Sequence, residues 1–168
     1  MTSALVTIGD ISTTIVVENV PDDVEGADRI TLPCGVATLS QHHLRADPPL
    51  PEELTNAIGE MVDHLDDALR EVPALIDASP VTVADHHVEV IAAVEFGGPI
   101  EAPTFVLSRD AAEDVFRTLA TETSSARRHN PGLPSSDVDT VVAACCALVA
   151  IMRGLQLDAV TVALGGSR

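Results

Sequence analysis

The stretch ALVTIGDISTTIVVENV, residues 4–20, decides the fold. Two β-branched runs, ALVTIG (4–9) and TTIVVENV (13–20), are parted only by Asp10, Ile11 and Ser12, and so short a connection joins two strands as a hairpin. After the acidic turn PDDVEGA a third run, DRITLP (28–33), fits another strand. Three strands in such close succession predict an antiparallel meander.

Beyond the meander the period changes. Leu54, Ala57, Ile58, Met61, Val62, Leu65, Ala68, Leu69 and Val72 recur at three and four, which predicts an amphipathic helix over 52–72, opened by Pro51 and ended by Pro73. A short strand at 80–84 (PVTVA), a helix near 86–95 and the Gly/Pro loop FGGPIEAPT follow. Ser108 is placed to cap a helix at 109–122. The loop RRHNPGLPSSD comes next, and its Ser135 or Ser136 is placed to cap an apolar helix running to about Gly154. AVTVAL (159–164) is the last strand. The expected order, β-β-β-α-β-α-α-β, is that of an RNase H-like α/β domain. Its sheet is mixed and five-stranded, with a meander on one side and two parallel strands extending it. One domain spans 1–168.

The composition agrees and excludes some partners. Apolar residues are 46% and aromatics 2%, with no Trp or Tyr, so the core is built from Val, Leu, Ile and Ala. The net charge is −17 and Arg is the only strong cation, a surface that repels nucleic acid and acidic membranes. Val141 to Met152, the most apolar segment, is too short for a bilayer that needs about 20 residues. The opening MTSALVTIGD has neither a basic leader nor a long apolar stretch, so no signal peptide is expected. Cys34, Cys145 and Cys146 offer no ordinary disulfide framework, and the expected compartment is the cytoplasm.

Three stretches, VTIGDISTT (6–14), LPCGVATLSQHHLRADPP (32–49) and LATETSSARRHNPGLPSSDVDTVVAACCALV (119–149), together resemble the second half of the Ppx/GppA family, the exopolyphosphatases and guanosine pentaphosphate phosphohydrolases. VTIGDISTT (6–14) stands where that family has Val-Asp-Ile-Gly-Gly-Gly-Ser-Thr-Glu; Gly9, Ser12 and Thr13 match. LPCGVATLSQHHLRADPP (32–49) keeps Gly35, Leu39, Asp47, Pro48 and Pro49 of the family's second pattern. In the third, LATETSSARRHNPGLPSSDVDTVVAACCALV (119–149), the residues Arg127, Pro131, Gly132, Leu133, Asp139 and Ala143 fit. The resemblance implies an actin-like (RNase H-like) lobe. It also implies that the catalytic glutamate and the first phosphate loop belong to another lobe, which leaves no catalytic residue to assign here.

The departures bear on the chemistry. Thr7 replaces the loop aspartate, and Asp10 and Ile11 replace two glycines, so Gly9, Asp10, Ile11, Ser12 and Thr13 form a degenerate candidate phosphate loop. A carboxylate about 4 Å from a phosphate charge costs about 4 kcal/mol at an effective dielectric near 20. Asp10 therefore opposes anion binding, and Ile11 resists the positive φ that glycine supplies. Thr38, Gln41, Asp137 and Ala144 stand where the family has Arg, Glu, Arg and Gly. Two of those losses remove positive charge.

Other groups are weighed against plainer roles. A metal site could draw one member each from the pairs His42/His43 and His86/His87, but adjacent histidines diverge and surface or capping roles are the better reading. Glu60 and His64, at i and i+4, read as a solvated pair without a third ligand. Cys145 and Cys146 read as packing, and Cys34 lies near the cleft side. Arg127 and Arg128, with His129 and Arg117, are candidates for an anion contact beside the alternative of an exposed helix end. The terminal GGSR reads as disorder rather than a phosphate turn.

The expected function is a degenerate, non-hydrolytic module for binding, regulation or assembly, with no metal and no cofactor, paired as a homodimer or with a separate chain supplying the other lobe. The alternatives are a phosphohydrolase subunit for polyphosphate or pppGpp, which alone would need Mg²⁺, and a structural partner without a ligand.

Overall fold

The computed structural model describes residues 2–19 and 28–165. The turn PDDVEGA and residues 166–168 of the terminal GGSR lie outside them. The hairpin forms as the sequence dictates: β1 (Thr2–Ile8) pairs antiparallel with β2 (Thr13–Asn19), Ile8 opposite Thr13, and β2 pairs with β3 (Asp28–Leu32) to complete the meander. Period-two alternation puts Ala4, Val6, Ile8, Ile15, Val17, Ile30 and Leu32 on the buried face, while Leu5 stays 41% exposed on the other.

The sheet then grows from the opposite edge of β1. β4 (Val81–Val83) lies parallel to β1, and β6 (Ala159–Ala163) parallel to β4. A sixth strand, β5 (Thr104–Ser108), pairs antiparallel with β6, so the order is β3-β2-β1-β4-β6-β5. The five-stranded expectation is corrected by this strand. TFVLS is an edge strand with Val106 68% exposed, and it runs straight into the helix capped by Ser108, so it carries neither a continuous apolar run nor a turn at its end.

Helices α1 (Val36–His43), α2 (Pro51–Glu71), α3 (His86–Phe96), α4 (Arg109–Thr121), the single turn α5 (Ser124–Arg127) and α6 (Val141–Gly154) complete the domain. α1 and α5 are additional to the four helical segments expected, of which the order β-β-β-α-β-α-α-β counts three. α6 is buried at every position from Val141 to Met152 and packs against α1, α2, α3 and α4, joining the buried sheet face in one core. Its capping differs from expectation. A 3₁₀ turn at Ser135–Asp137 intervenes, and Thr140, not Ser135 or Ser136, is the N-cap.

Candidate functional site

The C-terminal ends of the parallel strands β1, β4 and β6, where open α/β sheets place their ligands, carry the hairpin crest, the start of α3 and residues 131–137. The crest closes on itself, because the Gly9 N–H donates to the Ser12 carbonyl at 2.8 Å. Its outward carbonyls then serve α1: Val36 N–H donates to Gly9 O at 2.9 Å, and Ala37 and Thr38 N–H to Asp10 O at 2.8 and 3.3 Å. No side chain caps α1, so the hairpin is its cap. Gly35 allows that approach. A Cβ there would stand 2.4 Å from Gly9 O and 2.6 Å from Asp10 O. Gly35→Ala should therefore cost about 2 kcal/mol in denaturant unfolding, since backbone rather than a flexible side chain must move.

The five crest residues have distinct fates. Thr13 is fully buried and its hydroxyl donates to Cys34 O at 2.8 Å, a structural contact. Ile11 is 76% exposed. The N–H groups of Asp10, Ile11 and Ser12 find no acceptor among the described residues. The Asp10 carboxylate, 72% exposed, lies 2.9 Å from His87 Nε2. Thr7 and Thr38 make long 3.5 Å hydroxyl bonds to Ala84 O and Ile11 O.

Asp85 ties the crest's strand to α3. One of its carboxylate oxygens accepts the Ile8 N–H at 2.8 Å and the other the Val88 N–H at 2.9 Å, making it the helix N-cap. Burial pushes its carboxyl above the ordinary aspartate value, and the two N–H donors offset that only in part. Next along, His86 Nε2 lies 2.9 Å from Asp137 Oδ1. A cavity of about 350 Å³ between α3 and the 131–134 loop is bordered by His86, Glu89, Ile100, Gly132 and Leu164. Gly132, at φ +85°, presses on α3 where a Cβ would meet Ala93 O at 2.3 Å. The rim thus bears Asp10, Asp85, Glu89 and Asp137 against two imidazoles, a setting that favours cations over anions. It does not fit the Mg²⁺ that hydrolysis would need. Both Asp85 oxygens are committed to backbone, and no three rim carboxylates converge among the described residues.

Arg127 is not at an exposed helix end. It is 4% exposed, and its guanidinium donates to the carbonyls of Leu119, Val138 and Glu122 at 3.0, 3.0 and 2.8 Å. That fork locks α4, α5 and the approach to α6 together, whereas Arg128 is exposed along with His129. The cavity of about 270 Å³ that Arg127 borders also carries Arg45, Asp47 and Asp139.

A second cluster lies on α1 and α2. His42 Nδ1 and His43 Nε2 reach the same oxygen of Glu60, at 2.9 and 2.8 Å, and His64 Nε2 is 3.7 Å from the other. The Cys34 thiol joins them; burial first, then Glu60, pushes it up to about 12. Burial raises the Glu60 carboxyl, but the donors His42, His43 and Cys34 outweigh it and hold it below the ordinary value. Sequence spacing correctly paired Glu60 with His64 but missed the rest, because the convergence arises only when α1 packs on α2. His86 and His87 take no part. Cys145 and Cys146 are buried in α6, their thiols raised by burial, in keeping with packing.

No protein-family model matches the chain, and no curated protein matches it in sequence. Solved structures do match. An exopolyphosphatase-like protein shares the fold over 96% of this chain and 55% of its own, with TM-score 0.86 and 18% identity. The Ppx/GppA enzyme of Aquifex aeolicus matches over 97% of this chain and 53% of its own, with TM-score 0.81 and 17% identity. An exopolyphosphatase from Cytophaga hutchinsonii matches over 96% and 52%, with TM-score 0.71 and 17% identity. The chain therefore has the α/β fold of one lobe of Ppx/GppA proteins, and spans about half the length of those structures. No helix among the described residues is long and apolar enough to cross a membrane.

Proposed function

We propose that this chain is a Ppx/GppA-like lobe that does not hydrolyse phosphoanhydrides on its own and works as a binding or assembly module. The crest carries this reading: the three N–H groups at 10–12 have no acceptor among the described residues, as a phosphate loop requires, but Asp10 puts a carboxylate beside them. Its 72% exposure reduces the repulsion from about 4 kcal/mol to about 1 kcal/mol at 4 Å, the value in water. Asp10 thus weakens anion binding without forbidding it.

The test is the double variant Asp10→Gly, Ile11→Gly. By calorimetry it should bind tripolyphosphate about fivefold more tightly than wild type, the factor that about 1 kcal/mol supplies. Unchanged or weaker binding would remove the crest from the account. The half-length match to exopolyphosphatases supports a second reading, a phosphoric anhydride hydrolase subunit completed by another lobe. Phosphate release from polyphosphate only after a chain resembling that lobe is added would favour it. Leu5 and Val106, exposed on the outer sheet face, are apolar contacts open to such a chain or to a second copy.

A further inference from the structure

We infer that Cys34, Glu60 and His64 form a binding site for one divalent transition-metal ion of the zinc type, its fourth position open to His43 or water. The inference does not rest on any phosphate role: Glu60 and His64 lie on α2, and Cys34 on the link from β3 to α1.

Geometry is the first argument. The ligand atoms of Cys34, Glu60 and His64 lie within 4.8 Å of one another, as do those of His42, His43 and Glu60. With Zn–N near 2.0–2.1 Å and Zn–S near 2.3 Å, ligand atoms of a tetrahedral site stand about 3.3–3.7 Å apart. His64 Nε2 stands 3.7 Å from Glu60, within that range, so Cys34, Glu60 and His64 form a three-ligand set; His43, 2.8 Å from the other Glu60 oxygen, belongs to the second group and reaches the ion only if its side chain turns.

Ligand chemistry is the second. One thiol, one imidazole and one carboxylate suit zinc or cobalt and not the hard, oxygen-seeking Mg²⁺ or Ca²⁺. The thiol proton leaves to solvent when the metal–sulfur bond forms. With one thiolate and one carboxylate the site then neutralises a divalent ion.

Preorganisation and access complete the case. Cys34 is fixed from behind, because its carbonyl takes the Thr13 hydroxyl and the next residue is the close-packed Gly35. His42 Nδ1, on the Glu60 oxygen, is placed to orient the ligating carboxylate from outside. Glu60 also borders an external hollow with His43, Gly59 and Asp63, and the side chains of Glu60, His43 and His64 are 21%, 22% and 28% exposed, while Cys34 is buried behind them.

Titrating the tag-free chain with Co²⁺ tests this. A single equivalent should produce intense visible d–d bands with a thiolate-to-cobalt charge-transfer band, and Zn²⁺ should displace it and raise the melting temperature. Cys34→Ser should abolish the charge-transfer band, and His64→Ala should weaken binding about tenfold or more. Because Cys34 is buried and its serine variant could unfold, His64→Ala, on a partly exposed helix face, stands as the independent arm. Absence of cobalt bands, or bands and affinity indifferent to His64→Ala in a folded variant, would overturn the site.

Discussion

Arg127→Ala is expected to lower the stability of the domain by about 4 kcal/mol, as much as truncating a large core side chain. The guanidinium satisfies Leu119 O and Val138 O in buried surroundings and Glu122 O in half-buried ones. Removing it leaves up to three carbonyls without a donor, each worth about 1–3 kcal/mol when orphaned away from water. Lysine is a poor substitute, because one ammonium cannot reproduce a planar fork aimed at three acceptors. Arg127→Lys should recover less than half of the loss. Urea unfolding of both variants measures this. If Arg127→Ala unfolds within about 1 kcal/mol of wild type, the buried fork is not what holds α4 and α5 to the approach of α6.

Asp85→Ala should cost about 3 kcal/mol, combining a lost helix cap at about 1 kcal/mol with an orphaned Ile8 N–H. Its pH dependence has a definite sign. The folded carboxyl lies above its ordinary value, so its favourable contribution is complete below about pH 3.9 and is lost as pH rises through the raised value. Asparagine at 85 cannot titrate. The stability advantage of wild type over Asp85→Asn should therefore be greatest near pH 4 and shrink toward pH 7. A gap that widens with rising pH would mean that the two N–H donors outweigh burial.

Much of the fold is legible in local pattern. The 4–20 hairpin declares itself by β-branched runs around a three-residue turn, and α2 by a stripe that spans about five helical turns. Edge strand β5 escapes because half-exposed TFVLS lacks the alternation that marks β1 and follows a loop that looks like any surface connection. The site divides along the same line. Asp10 is readable as a charge in the wrong place, since the crest is continuous in sequence. The burial of Arg127 is not, because RRH at the end of a helix looks like surface and only the tertiary position of Val138 and Leu119 turns it inward. The convergence of His42 and His43 on Glu60 is hidden for a related reason. Neighbouring side chains do diverge, and these rings sit edge-on at 84°, but both are long enough to bend to one acceptor on α2.

The absence of self-contained hydrolysis is the claim on which the functional account turns, and phosphate release addresses it directly. The purified chain, incubated with polyphosphate or pppGpp and Mg²⁺, should release no more inorganic phosphate than the protein-free blank. Turnover that scales with protein concentration and falls when Gly9 or Ser12 at the crest is replaced would contradict it.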